Sequence, residues 1–174
     1  MKKFALALLL FSLGVSLAHA EPGYIVLNVN GVTCTTSTVA GAKGILLSAW
    51  SWGSVTQMGG LNGAKVTPGK PSLTQLLVSK STDTCTTALL QLNFDEKLSS
   101  TVTVTEYSQN GATGKVTQTM MVTLYNALVA TYSVNGSTTA DNPSETWGFA
   151  FQKICLENSN TQTVCYSNLT NQTS

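Results

Sequence analysis

Residues Val116–Val134 read VTQTMMVTLYNALVATYSV. The run is rich in β-branched residues and lacks glycine and proline, which is the composition of a strand. Successive side chains of a strand point to opposite faces, so one straight strand keeps its apolar residues in a single phase. This run is too long for that, and the alternation loses phase near Asn126. It is therefore predicted to bend there.

The neighbouring segments continue the β pattern. Upstream, Thr101–Tyr107 (TVTVTEY) alternates cleanly, and Asn110-Gly111 marks a turn between the two runs. Downstream, Asn135-Gly136 to Pro143 reads as a second turn region. Thr146–Leu156 (TWGFAFQKICL) then reads as one strand with Trp147, Phe149 and Phe151 on a common face. Towards the amino terminus, Tyr24–Asn30, Ile45–Trp52 and Leu73–Ser79 read as further strands. Between the last two lies Gly53–Ser72, glycine-rich with two prolines, which reads as a long loop or a loosely paired excursion. Stretches of this kind inside a compact domain commonly have a function. One helix is expected over Thr86–Phe94, capped by Ser81, Thr82 or Asp83, with Ala88, Leu89, Leu92 and Phe94 forming its apolar side. At about ten residues it depends on packing for its stability. The pattern is that of a mainly β domain, a closed or nearly closed barrel with one short α-helix.

The first twenty residues stand apart from this pattern. Lys2 and Lys3 precede an apolar run, Phe4–Leu17, and Ala18-His19-Ala20 forms an A-x-A cleavage site. This reads as a secretory signal peptide. The apolar run is about 14 residues, against about 20 for a bilayer span. No later run is long and apolar enough to span, so the expectation is an exported chain, periplasmic or secreted, beginning at Glu21.

Export removes the chain's one histidine, His19, and leaves seven lysines against eight acidic residues, a net charge of −1; arginine is absent throughout. So few cations cannot neutralise a phosphate backbone, which argues against a nucleic-acid partner. Without histidine, Ser–His–Asp and Cys–His arrangements are unavailable. Ser79 and Lys80 are strand neighbours that point apart, and Asp95-Glu96 with Lys97 reads as a solvated charge cluster. No enzyme, cofactor or metal site is expected. Cys34, Cys85, Cys155 and Cys165 make an even count in an exported chain, read as two disulfides with three connectivities open. Cys155–Cys165 with Cys34–Cys85 is favoured, because the first pair flanks a polar turn, Glu157-Asn158-Ser159-Asn160. A zinc site lacks the C-x-x-C spacing.

The order of motifs resembles a known family. Ile45–Trp52 with Gly53 and its AWSWG end comes first. A glycine-rich excursion, Gly69-Lys70-Pro71-Ser72, Leu73–Leu76 and Lys80 follow. Then come the helix with Thr84–Leu92, the strand Thr101–Tyr107, and Leu128-Val129-Ala130-Thr131-Tyr132-Ser133. Ser144-Glu145-Thr146 and Phe149–Ile154 close the series. From Tyr24 to Leu156 the chain is similar to the haemolysin-coregulated protein (Hcp) family, the tube proteins of bacterial type VI secretion. The resemblance implies a barrel of two sheets with the helix packed on one side. It also implies that six copies form a ring, that rings stack into a tube, and that other secretion-system proteins or secreted effectors are partners. Taken together, these readings divide the chain into a signal peptide (1–20), an Hcp-like domain (21–156) and a C-terminal extension with a disulfide-linked hairpin and polar tail (157–174). Trp50 and Trp52 share a strand face, and at least one is expected in the subunit's own core. With Gly69, Lys70 and Pro71 they form the expected subunit interface. The signal peptide, the disulfides and the extension depart from the family's pattern. They motivate an alternative: an exported module of the same fold that binds a protein or surface without building tubes.

Overall fold

The computed structural model describes residues 23–39, 41–59, 67–159, 162–168 and 172–173. The expected signal peptide, residues 1–20, lies outside the described residues. The strands in chain order are β1 (Gly23–Val29), β2 (Ser37–Val39), β3 (Ala42–Leu47), β4 (Ala49–Ser51), β5 (Ser54–Gly59), β6 (Thr67–Leu73) and β7 (Leu76–Ser81). Helix α1 (Thr86–Phe94) follows, then β8 (Ser99–Gln109), β9 (Val116–Asn135), β10 (Ser144–Ala150), β11 (Lys153–Asn158), β12 (Thr163–Ser167) and β13 (Gln172–Thr173).

Strand β9 belongs to both halves of the barrel. Its first half pairs antiparallel with β8 on one side and β11 on the other. Its second half pairs with β10. The direction changes at Asn126, whose φ is +49°. Left-handed backbone is costly for most residues and mildest for asparagine and glycine, which is why an asparagine fits this position. Opposite the bend the partner strand breaks as well: β10 ends at Ala150 and β11 starts at Lys153. The joint is tied by Gln152 N–H to the Tyr125 carbonyl (3.1 Å) and by Asn126 Nδ2 to Gln152 Oε1 (2.9 Å). The expected single strand Thr146–Leu156 is thus two strands meeting at Phe151-Gln152.

A second change of sheet occurs at Ser48, which divides the expected strand Ile45–Trp52. Strand β3 pairs with β1, whereas β4 pairs with β7. Ser48 N–H bonds the Ser79 carbonyl at 2.8 Å and so starts the β7 ladder. With β1–β8 and β7–β10 the pairings close a circuit: β1, β3 leading into β4, β7, β10, β9, β8 and back to β1. The core inside this circuit includes Leu27, Ile45, Leu76, Val78, Val104, Leu124, Trp147 and Phe149, with Leu89 and Leu92 from α1. The helix occupies the predicted residues. Phe94, however, is 76% exposed rather than part of its apolar side. Its N-cap position is Cys85, which makes no side-chain cap; Asp83 Oδ1 instead accepts the Cys85 N–H at 2.8 Å.

Strand β7 begins at Leu76, three residues later than expected, because Leu73 ends β6. Gly53–Ser72 is the paired alternative: β5 and β6 form their own two-stranded ladder, joined to no other strand among the described residues. One close approach fixes a glycine in the barrel wall. A Cβ on Gly44 would lie 2.7 Å from the Leu27 carbonyl oxygen and against Val26. Backbone cannot yield there as a flexible side chain can. Gly44→Ala is expected to lower unfolding free energy by about 1–3 kcal/mol, the usual cost of overpacking. Urea titration measures it, and an unchanged midpoint would count against the close packing of β1 on β3.

Candidate functional site

Two regions hold the chemistry of interest: a buried polar cluster at the amino end of α1, and the β5–β6 arm.

The cluster follows from strand phase. In β7, Leu76, Val78 and Lys80 are buried; in β10, Glu145, Trp147 and Phe149 are buried. Lys80 and Glu145 are direct register partners. Lys80 Nζ lies 2.9 Å from Glu145 Oε2 and 2.8 Å from Asp83 Oδ1, and donates to Thr86 Oγ1 at 3.1 Å. Glu145 Oε2 also accepts from Thr86 Oγ1 (3.1 Å) and Trp147 Nε1 (3.2 Å), and Tyr132 OH lies 3.5 Å from Glu145 Oε1. The Tyr132 and Trp147 rings stack obliquely, with centroids 4.2 Å apart. A buried charge requires a partner and satisfied hydrogen bonds, and both ions here have them. Burial pushes the Glu145 carboxyl up, but the Lys80 and Thr86 hydrogen bonds, the Lys80 charge and the Trp147 indole together hold it below its ordinary value. The Tyr132 phenol is pushed up, first by burial and then by the Glu145 charge. The cluster ties β7, α1, β9 and β10 together. Lys80 and Glu145 are fully covered, so the pair at the centre of the cluster acts on the fold.

Each disulfide staples one end of this framework. Cys34 is bonded to Cys85, with Cα atoms 5.4 Å apart, which fastens the β1–β2 connection to the start of α1. Cys155 is bonded to Cys165, Cα atoms 4.0 Å apart, directly across the β11–β12 ladder.

The residues expected at a subunit interface lie on or beside the arm. Trp50 sits in β4 opposite Val78. Trp52 follows at the arm's neck, and both rings are half-buried against the core. Gly69 and Lys70 are exposed on β6, and Pro71 is half-buried opposite Thr56. The neck is closed by Thr74 N–H to the Gly53 carbonyl and by Gly53 N–H to Thr74 Oγ1, both 2.9 Å. Beside it Ser51, Trp52, Thr74, Gln75 and Leu77 line an open cleft of about 380 Å³. On the arm itself Val55 is 61% exposed. The sequence places Lys80 and Glu145 in separate motifs and does not show their pairing. The available signal was that each falls in the buried phase of its strand. Among the described residues, no group of three histidine, cysteine or acidic side chains could hold a metal, and no helix is long and apolar enough to cross a membrane.

The sequence model described as "Type VI secretion system effector, Hcp" matches residues 26–157. The chain belongs to the Hcp family. Solved structures agree in fold. A type six secretion system protein superposes with a TM-score of 0.75 at 21% identity, covering 89% of this chain and 100% of that one. Hcp1 from Salmonella typhimurium gives 0.70 at 19% identity, covering 87% of this chain and 99% of its own. The secreted protein Hcp3 from Pseudomonas aeruginosa gives 0.60 at 13% identity, covering 85% and 98%. No curated protein sequence matches. The two-sheet barrel with a lateral helix is therefore the Hcp fold, and the Hcp match stops at residue 157, before β12.

Removing one partner of the buried pair leaves the other charge uncompensated. Glu145→Ala is expected to cost about 3–5 kcal/mol in unfolding free energy. The lowered Glu145 value also has a pH consequence. Its contribution is complete above its ordinary value of 4.5 and is lost as pH falls through the lower folded-state value. Melting curves between pH 6 and about pH 3 should therefore fall more steeply for the wild-type chain than for Glu145→Gln. Parallel curves would show that the carboxylate is not held ionised by its partners.

Proposed function

We propose that this chain is a ring-forming structural subunit of the Hcp type that acts after export, and that the β5–β6 arm is the element each subunit extends towards its neighbour. The observation that carries this reading is the arm's isolation. Its two strands pair with each other and with no other strand among the described residues. The barrel, in contrast, uses its own strand edges to close. An arm held at its base, with exposed Val55, Gly69 and Lys70, leaves side chains and backbone edges available to a second copy. In this reading Trp50, Trp52, Gly69, Lys70 and Pro71 form the contact, and six copies close a ring. Other secretion-system proteins or secreted effectors are the partners of that ring.

The compartment is inferred from sulfur chemistry. Disulfides persist in oxidising surroundings, and both pairs here are bonded. A periplasmic or extracellular location agrees with the amino-terminal segment read as a signal peptide. We propose the boundary between barrel domain and C-terminal extension at residues 156–157. The disulfides and the extension also favour a second reading, an exported Hcp-fold module that binds a protein or surface without assembling tubes. Both readings are non-catalytic.

Light scattering on oxidised residues 21–174 separates them. A hexamer is expected, with annuli in negative stain. A strictly monomeric mass at high concentration would reject the ring and leave the binding module.

A further inference from the structure

Strand β12 lies beyond residue 157, where the Hcp match ends, and yet it reaches back to the arm. Tyr166 is the point of contact. Its ring packs against the core, its register partner is Ile154, and its hydroxyl donates to the Pro71 carbonyl at 3.2 Å. Pro71 lies on β6, so this bond spans 95 positions of sequence to join the extension to the arm. Three features fix the donor in place. Cys165, its neighbour in the chain, is bonded to Cys155. Beyond it, the Asn168 N–H meets the Gln152 carbonyl at 2.8 Å. Asn168 Nδ2 donates to the Phe151 carbonyl at 3.1 Å, so the end of β12 is clamped to the β10–β11 joint.

A two-stranded ladder on its own is marginally stable in water. The direction of the arm is therefore set by what holds its base. Part of that hold is the neck bonding of Gly53 and Thr74. A second hold comes from Tyr166, which reaches the arm from another part of the fold. We infer that the disulfide-closed β11–β12 hairpin is a brace, with Tyr166 as a positioning residue that fixes the angle of the β5–β6 arm and thereby its fit to a partner. The brace concerns the isolated subunit; its consequence for assembly rests on the ring reading.

Hydrogen exchange by mass spectrometry on the full oxidised chain tests it with Tyr166→Phe, which keeps the ring and removes the bond. Exchange at arm residues 54–56 and 69–73 should rise roughly two- to tenfold, the scale of one hydrogen bond, while β8 and α1 stay unchanged. The melting temperature should hold, which separates positioning from a general loss of structure. The double variant Cys155→Ser/Cys165→Ser should shift the same arm amides by at least as much. If neither variant changes arm exchange, the brace is wrong, whatever the oligomer. If arm exchange rises while wild type is monomeric, the brace stands and the ring fails. If wild type is a hexamer, Tyr166→Phe should raise its dissociation constant by several-fold, and an unchanged constant would overturn the link from brace to assembly.

Discussion

The fold depends on one residue's backbone. A strand as long as β9 cannot stay flat and serve two sheets; it has to turn where its partners change. Asn126 supplies that turn by taking a left-handed conformation that a β-branched residue would resist. Once β9 bends, its first half remains with β8 and β11 and its second half passes to β10. The Ser48 break does the same for β3 and β4 on the other side. Two strands that change sheets are enough to close the barrel. That closure matters for function, because unpaired edges are where β-proteins meet other chains. The circuit of strands closes on itself, and the β5–β6 ladder stands apart from it.

Closure also explains the position of the polar cluster. Lys80 and Glu145 stand at the ends of the inward rows of β7 and β10, where apolar packing gives way to the start of α1. Ion pairs buried in this way seldom add stability over apolar residues of the same size, but they penalise wrong registers heavily. A one-residue slip of β7 against β10 would turn Lys80 to the opposite face and leave Glu145 buried without its partner. The cluster therefore fixes register between strands that come together across a long stretch of chain, and Thr86 extends the constraint to the helix. The Cys34–Cys85 bond acts on the same corner by fastening the β1–β2 connection to the helix start.

Much of this is legible in the sequence where the signal is local. Alternation marks Thr101–Tyr107, loss of phase marks the bend at Asn126, and a short apolar repeat marks α1. What was not legible depends on distant partners. Ser48 looks like any strand residue, and only the switch from β1 to β7 makes it a break. Gln152 interrupts Thr146–Leu156 because it faces the β9 bend. Phe94 belongs by composition to the apolar side of the helix, but Leu89 and Leu92 fill the available contact and leave it in solvent. The Lys80–Glu145 pair was within reach, since both charges occupy buried phases, but their pairing needs the β7–β10 register. The residues expected at an interface stand out by motif, and Gly69, Lys70 and Pro71 lie on the β5–β6 arm with Trp52 at its neck.

The left-handed bend at Asn126 is the first step in closing the barrel. Equilibrium unfolding of Asn126→Gly and Asn126→Val is the direct measurement, because both variants lose the bond to Gln152 and differ in their tolerance of positive φ. Glycine adopts this conformation freely, and a β-branched residue does not. The account predicts that Asn126→Gly stays within about 1 kcal/mol of wild type while Asn126→Val falls a further 1–2 kcal/mol or so below it. Equal stability of the two variants would mean that β9 does not need this bend to join the two sheets.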